Sequence, residues 1–326
     1  MKCTNKFIFL ISLILMASLL TACSESASIR MPFSTFREEA TDTVFKYHTE
    51  KTVDGFASDL CVFTENNLEN FELVNSNGGL LVSLKDNNVL FSQNAFEKFY
   101  PASITKVMTC YIVLKYADLE DTITCTSSVS NIKVPDAVVL GLKKGDTMTV
   151  DQALHLALLS SYNDVAVALA EHISGSIDDF ADLMNEEAKA LGATSTHFTN
   201  PHGLPDDDHY TTVYDLYLIF NEAIKNPTFL EIIGMKEYRT TYKNSKGKDV
   251  TATSINTNQF LRGNYELPDD VVLLGGKTGT TEAAGNCLML LVNDKYSNPY
   301  ISVILGADTK ENLYHQMSDL LSQLTN

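Results

Sequence analysis

Pro101-Ala102-Ser103-Ile104-Thr105-Lys106-Val107-Met108-Thr109 is the stretch on which the reading of this 326-residue chain turns. A proline just ahead of a periodic segment is a helix start signal. Apolar Val107, Tyr111, Val113 and Leu114 follow at mixed three- and four-residue steps, which predicts a helix from about Ser103. In such a helix Ser103 and Lys106 share a face, so the ammonium can reach the hydroxyl. Serine is a poor nucleophile until a base takes its proton, and lysine serves as that base only if burial and nearby positive charge lower its pKa. The free backbone N–H groups of a helix start also lie where an oxyanion would form.

Working outward, residues 79–84 and 89–91 read as two strands joined by the polar turn Lys85-Asp86-Asn87-Asn88. Downstream, residues 150–204 carry helical patterning: Ala153-Leu154, Ala157-Leu158, then residues 165–173, then 180–191 ending at Gly192. Strands return at residues 271–274, 277–281, 286–292 and 300–305, punctuated by Gly275-Gly276, Gly285 and Ser297-Asn298-Pro299. A last helix from about Lys310 puts Leu313, Met317, Leu320, Leu321 and Leu324 on one face, so it should pack on the sheet. This order predicts an α+β fold, an antiparallel sheet flanked by helices.

Two further strings follow the first. Ser161-Tyr162-Asn163 falls between helical segments, so its hydroxyl and amide sit on a turn. There Ser161 can pass a proton between Lys106 and a leaving amine, while the Asn163 amide can hold both a lysine and a substrate backbone. Lys277-Thr278-Gly279-Thr280 lies in a strand rimmed by Gly275 and Gly276, where another backbone can come close. A peptide laid beside that strand would gain main-chain hydrogen bonds. Lys277 is also the source of positive charge that Lys106 needs. Each string alone is common; their occurrence together, in this order and on helix, turn and strand, carries the weight.

With their flanks, the three strings resemble the low-molecular-mass penicillin-binding proteins that act as serine-type D-alanyl-D-alanine carboxypeptidases. Residues 101–109 resemble their nucleophile segment, and Thr196-His197-Phe198-Thr199-Asn200-Pro201-His202-Gly203-Leu204 resembles a loop typical of them. Gly276-Lys277-Thr278-Gly279-Thr280-Thr281 with Ala284-Gly285 fits as well. The resemblance runs from about Gly79 to the last helix. It implies a β-lactamase/transpeptidase-like fold, a five-stranded antiparallel sheet with a mostly helical subdomain inserted at roughly residues 115–235. It further implies Ser103 as nucleophile, Lys106 as general base, Ser161 as proton relay and Asn163 as substrate clamp. Lys277 and Thr278 would bind the substrate's terminal carboxylate, Gly279 would let the peptide approach, and the N–H groups of Ser103 and Thr280 would form the oxyanion hole. The implied substrate is the peptidoglycan stem peptide ending in D-Ala-D-Ala, β-lactams would acylate the same serine, and no cofactor is called for. Two rivals share these residues: a β-lactamase, which in class A needs a water-activating glutamate, and a catalytically silent penicillin-binding sensor. No convincing Glu-x-x-x-Asn string lies between Asn163 and Lys277, and a pure binder has no need of both lysines with both serines.

The chain ends bear on location. Met1 to Lys6 carries two lysines and no acid, and residues 7–20 are apolar except for Ser12 and Ser18. That run is shorter than the ~20 apolar residues of a spanning helix and reads as a signal peptide, residues 1–22. Leu20-Thr21-Ala22-Cys23 resembles a lipoprotein processing site, so Cys23 is expected to be lipidated, with residues 23–59 as a tether and irregular N-terminal segment and 60–326 as the catalytic domain. Many members of the family continue into a β-rich second domain with a membrane helix; here the chain stops at Asn326, directly after the last helix, so no such domain is expected, and lipid on Cys23 is expected to hold the enzyme on the outer face of the cell membrane.

A net charge of −17 argues against nucleic acid or anionic lipid headgroups as partners. Of six cysteines, Cys61, Cys110, Cys125 and Cys287 would remain in the mature chain, and they are expected to be buried and unpaired. His202, Asp206, Asp207, Asp208 and His209 invite comparison with a metal site, but carboxylates crowded on a polar loop are normally solvated, and no metal is expected. His155 is expected to pack or to face solvent.

Overall fold

The computed structural model describes residues 71–135 and 137–325; the proposed signal peptide, Cys23, the tether and Cys61 lie outside them. Five strands form one antiparallel sheet in the order β2-β1-β9-β8-β7, with β1 Gly78–Ser83, β2 Asn88–Gln93, β7 Val272–Thr281, β8 Gly285–Asn293 and β9 Pro299–Ala307. The two segments read separately at residues 271–274 and 277–281 are one ten-residue strand, whose register slips between Leu273 and Gly275.

Both faces of this sheet are covered, which is why β8 and β9 read as continuous apolar runs and not as alternating ones. On one face Leu80, Val82, Met289, Leu291, Ile301 and Val303 meet the helical part of the chain. On the other, Leu81, Leu288, Leu290 and Val292 meet Leu313, Tyr314, Met317, Leu320 and Leu321 of the last helix. Each such side chain stabilises the fold by about 1.5–3 kcal/mol when taken fully from water.

The helix after the first serine opens as a 3-10 turn, Ala102–Ile104, and continues as α1, Thr105–Tyr116. Its residues from Thr105 to Cys110 are all buried, so α1 is an internal helix and not an amphipathic surface one. Around it stand α2 Val150–Leu159, α3 Asn163–Ser174, α4 Ile177–Ala190, α5 Val213–Ala223 and α6 Pro227–Gly234. Their starts obey side-chain rules: Thr149 and Gln152 form a reciprocal cap on α2, Ser176 caps α4, and Asn226 with Pro227 opens α6. A short helix α7, Gln259–Arg262, precedes β7, and α8, Lys310–Ser322, closes the described chain.

Between β2 and β7 the chain is mostly helical, as expected, but it also builds a second antiparallel sheet, β3-β4-β5-β6, with β3 Thr122–Thr124, β4 Thr147–Thr149, β5 Glu237–Lys243 and β6 Asp249–Ile255, the last two lying beyond the expected limit near residue 235. β3 and β4 are three residues long, and the threonine-rich β5 and β6 hide little apolar surface, so hydropathy did not reveal them. His155 packs, stacked on Tyr238 at 4.0 Å between ring centres. Cys110, Cys125 and Cys287 are buried free thiols.

Candidate active site

The three strings converge on one cleft of about 150 Å³ whose wall includes Ser103, Ser161, Thr278, Gly279 and Thr280. Each is placed by a boundary between elements. Ser103 lies in the 3-10 turn that feeds α1. Ser161 sits in the one-residue gap between Ser160, which ends α2, and Tyr162, which precedes α3; its φ of 63° turns the chain sharply enough to aim the hydroxyl inward. Lys277 to Thr280 lie on β7, the edge strand of the large sheet, which has no strand partner on its outer side among the described residues, the position in which an added extended peptide pairs. Gly279 is required by proximity: a Cβ there would stand 3.0 Å from the Pro101 carbonyl oxygen and 3.1 Å from the Ser103 nitrogen.

Lys106 is fully buried, and its Nζ lies 3.0 Å from Ser103 Oγ, 2.7 Å from Asn163 Oδ1 and 2.8 Å from the His202 carbonyl oxygen. A neutral amine has two N–H donors and one lone pair. The amide oxygen and the peptide carbonyl can only accept, so they take both N–H groups. The lone pair is left facing Ser103, whose hydroxyl must then donate to it. Burial lowers the Lys106 pKa well below the usual lysine value, and the charge of Lys277 lowers it further. Geometry and electrostatics thus both select the form that can take a proton.

Lys277, also buried, directs Nζ at Ser161 Oγ (3.0 Å) and at the Thr278 carbonyl (2.9 Å). Burial brings its pKa down to about 7. Ser161 therefore has a neighbour able to give or hold a proton near neutrality. Thr278 Oγ1 and Thr257 Oγ1 lie 2.6 Å apart on the cleft wall, where Lys310, the first residue of α8, also stands.

Asp164 fixes the opposite rim. Buried next to Asn163, its carboxylate accepts from the backbone N–H groups of Leu140 (2.9 Å), Gly141 (2.8 Å) and Leu142 (2.9 Å), and Asn163 N–H donates to the Val138 carbonyl at 2.8 Å. The strap 138–142 is so held beside the cleft, with Val138 half-exposed on its wall.

Residues 65–309 match the family model of the D-alanyl-D-alanine carboxypeptidases, peptidase S11. The chain belongs to that family. It is 30% identical over 249 residues to the D-alanyl-D-alanine carboxypeptidase DacF of Bacillus subtilis, an overlap of 74% of this chain and 60% of that protein. The crystal structure of the Streptomyces K15 DD-transpeptidase superposes with a TM-score of 0.71 at 26% identity, over 77% of this chain and 97% of that one. Penicillin binding protein 5 from Haemophilus influenzae gives 0.66 at 28% identity, over 76% and 70%. Among curated relatives the chain spans about 60% of their length. The β-lactamase/transpeptidase-like fold of this member of the S11 family is the one its sequence implied.

Every residue of the three strings assigned from sequence reaches this one region. Lys277, however, does not present its ammonium to the cleft; it spends it on Ser161 and its own strand. Lys310 was not singled out from sequence, because only the packing of α8 brings it to the wall. The roles of the His202 carbonyl and of Asp164 were also missed. Only the adjacency of Asp164 to Asn163 could have hinted at the latter. The histidines of the 202–209 loop have other partners: His202 Nδ1 accepts from Leu204 N–H, and His209 is buried against Thr199 and Thr105. Among the described residues no three His, Cys, Asp or Glu side chains gather at one point. The spacing Glu222 to Asn226 does fit Glu-x-x-x-Asn, but Glu222 pairs with Lys225 at 2.9 Å and shares a surface groove with Lys115, at the other end of α1 from Ser103. Asn226 is spent on capping α6.

Proposed function

We propose that this S11 peptidase is a serine-type D-Ala-D-Ala carboxypeptidase that removes the terminal D-alanine from peptidoglycan stem peptides and is acylated by β-lactams. The observation that carries this reading is the Lys106 amine, with both its N–H donors occupied and its lone pair facing Ser103 Oγ. Ser103 Oγ attacks the carbonyl carbon of the penultimate D-Ala as its proton passes to Lys106 Nζ. The oxyanion is met by the Ser103 and Thr280 N–H groups. The C–N bond then breaks as Ser161 gives its proton to the departing amine and draws one from Lys277, which the proton held on Lys106 replaces by way of Ser161, so that Lys106 is neutral again and Lys277 recharged. Water attacks the ester in turn, giving its proton to Lys106 and returning Ser103. Asn163 holds the substrate backbone, and the peptide lies along β7 opposite the Val138 strap. Thr278, Thr257 and Lys310 meet the terminal carboxylate, with Lys277 contributing charge from beneath.

Incubation with a fluorescent penicillin and, separately, with diacetyl-Lys-D-Ala-D-Ala tests this. Long-lived covalent label together with D-Ala release is expected. Rapid antibiotic turnover would point to a β-lactamase, and label without release to a sensor. The position of Glu222, far from the cleft, supports the peptidase over the former.

The stem peptide lies outside the cytoplasm, in keeping with the signal-like residues 1–22 and a lipid on Cys23 as membrane anchor. No helix among the described residues is long and apolar enough to cross a membrane. Mass spectrometry of the membrane-extracted protein should show a lipid-modified Cys23; a free thiol there would remove the anchor.

A further inference from the structure

Ala102, the residue before the serine, has a φ of 47°. A left-handed L-alanine costs roughly 1–2 kcal/mol and has no side-chain hydrogen bond to offset it. Such a conformation persists only where its surroundings impose it. The surroundings here are residues 199–209, part of the loop between α4 and α5. Gly203, at φ 82°, closes over the Ala102 carbonyl so tightly that a Cβ would stand 1.8 Å from the oxygen. The Pro201 carbonyl accepts from Thr109 Oγ1 at 2.6 Å, and the His202 carbonyl takes Lys106.

The last contact is a relay through His209, which is 1% exposed. Thr199 N–H donates to His209 Nδ1 at 3.0 Å. Because a backbone N–H can only donate, Nδ1 is unprotonated, and in the neutral ring the proton sits on Nε2. Burial keeps the ring neutral, pushing its pKa down to about 4. Nε2–H therefore donates to Thr105 Oγ1 at 2.9 Å, and the Thr105 hydroxyl donates to the Ala102 carbonyl at 2.8 Å. Each proton has one direction, set by the Thr199 amide.

We infer that His209 is a positioning residue for acylation: through Thr105 it holds the left-handed Ala102 peptide, and with it the Ser103 hydroxyl and N–H, in the attacking geometry. His209 touches no reacting atom. It acts on the orientation of the turn, so it should govern the rate of the acylation step and leave substrate contacts along β7 and the Val138 strap unchanged. The inference rests on Ser103 being the nucleophile.

The test is single-turnover acylation of the full-length chain by a fluorescent penicillin, which separates the dissociation constant of the initial complex, the acylation rate constant and the fraction of chains labelled. His209→Ala and Thr105→Val should each slow acylation at least tenfold, with the initial dissociation constant within twofold and the labelled fraction preserved. The double variant should be no slower than Thr105→Val, since both changes cut one relay. His209→Gln should recover much of the rate, because an amide can accept from Thr199 and donate to Thr105. Thr105→Val keeps the shape of the buried residue and decides the matter if His209→Ala does not fold. Wild-type rates in Thr105→Val, independent losses that multiply in the double variant, or a loss confined to the labelled fraction would overturn the role of His209. Absence of label on wild-type Ser103 would instead overturn the reading beneath it.

Discussion

Lys277 Nζ lies 3.0 Å from Ser161 Oγ, inside the protein and away from the cleft wall. Buried there, Lys277 can combine two tasks that a lysine on the surface could not: it is placed to supply Ser161 with a proton, and its charge lowers the pKa of Lys106. Replacing it with methionine should slow acylation at least a hundredfold, in line with the loss of a positioned acid–base group. The same change should move the acidic limb of the acylation profile to higher pH, since the repulsion that favours neutral Lys106 is gone. An unmoved limb in stopped-flow labelling across pH 5–9 would show that the two lysines are not coupled.

The buried lysine also makes a prediction about stability. Its pKa is about 7 in the folded chain and ~10.4 when unfolded. Between these values the unfolded chain binds more protons, so stability rises with pH through that window, and below it the cost of burying the charge is borne in full. Lys277→Met should therefore raise the Tm at pH 6 by more than at pH 10, even as activity is lost. Equal changes at both pH values in calorimetry would refute the shifted titration.

Asp164 holds three backbone amides of the 138–142 strap. Asp164→Ala leaves them unpaired, and with ~1–3 kcal/mol at stake for each unsatisfied buried group, a loss of at least ~2 kcal/mol is expected. The amides of Leu140, Gly141 and Leu142 should lose hydrogen-exchange protection, and KM should rise more than kcat falls, because Val138 borders the substrate and not the reacting atoms. Retained protection would mean that the strap is held by other contacts.

Gly279→Ala introduces a methyl 3.1 Å from the Ser103 nitrogen. Strand and turn must part by a few tenths of an ångström, which widens the oxyanion site. Acylation should fall at least tenfold, with thermal stability little changed. Wild-type kinetics would show that this approach is not needed for reaction.

How far the sequence spoke can be judged from these residues. The strands of the large sheet, the helix after Ser103, the turn at Ser161 and the final packed helix were legible, because apolar runs, turn residues and caps act locally; the order of the strands in the sheet was not. β3 to β6 were not, since their threonine-rich faces are half in water and lack a hydropathic signature. The left-handed Ala102 could not be anticipated either, as alanine is no marker of that conformation and the loop that imposes it lies about a hundred residues away. Lys277 was placed correctly on its strand, but the direction of its ammonium depends on where Ser161 comes to rest, which only tertiary packing sets.

Peptide-mapped mass spectrometry of the penicillin-treated full-length chain tests the central claim most directly. One covalent adduct, on Ser103, absent from Ser103→Ala and matched by loss of D-Ala release from diacetyl-Lys-D-Ala-D-Ala in that variant, is the predicted result. An adduct on another residue, or D-Ala release that survives Ser103→Ala, would contradict it.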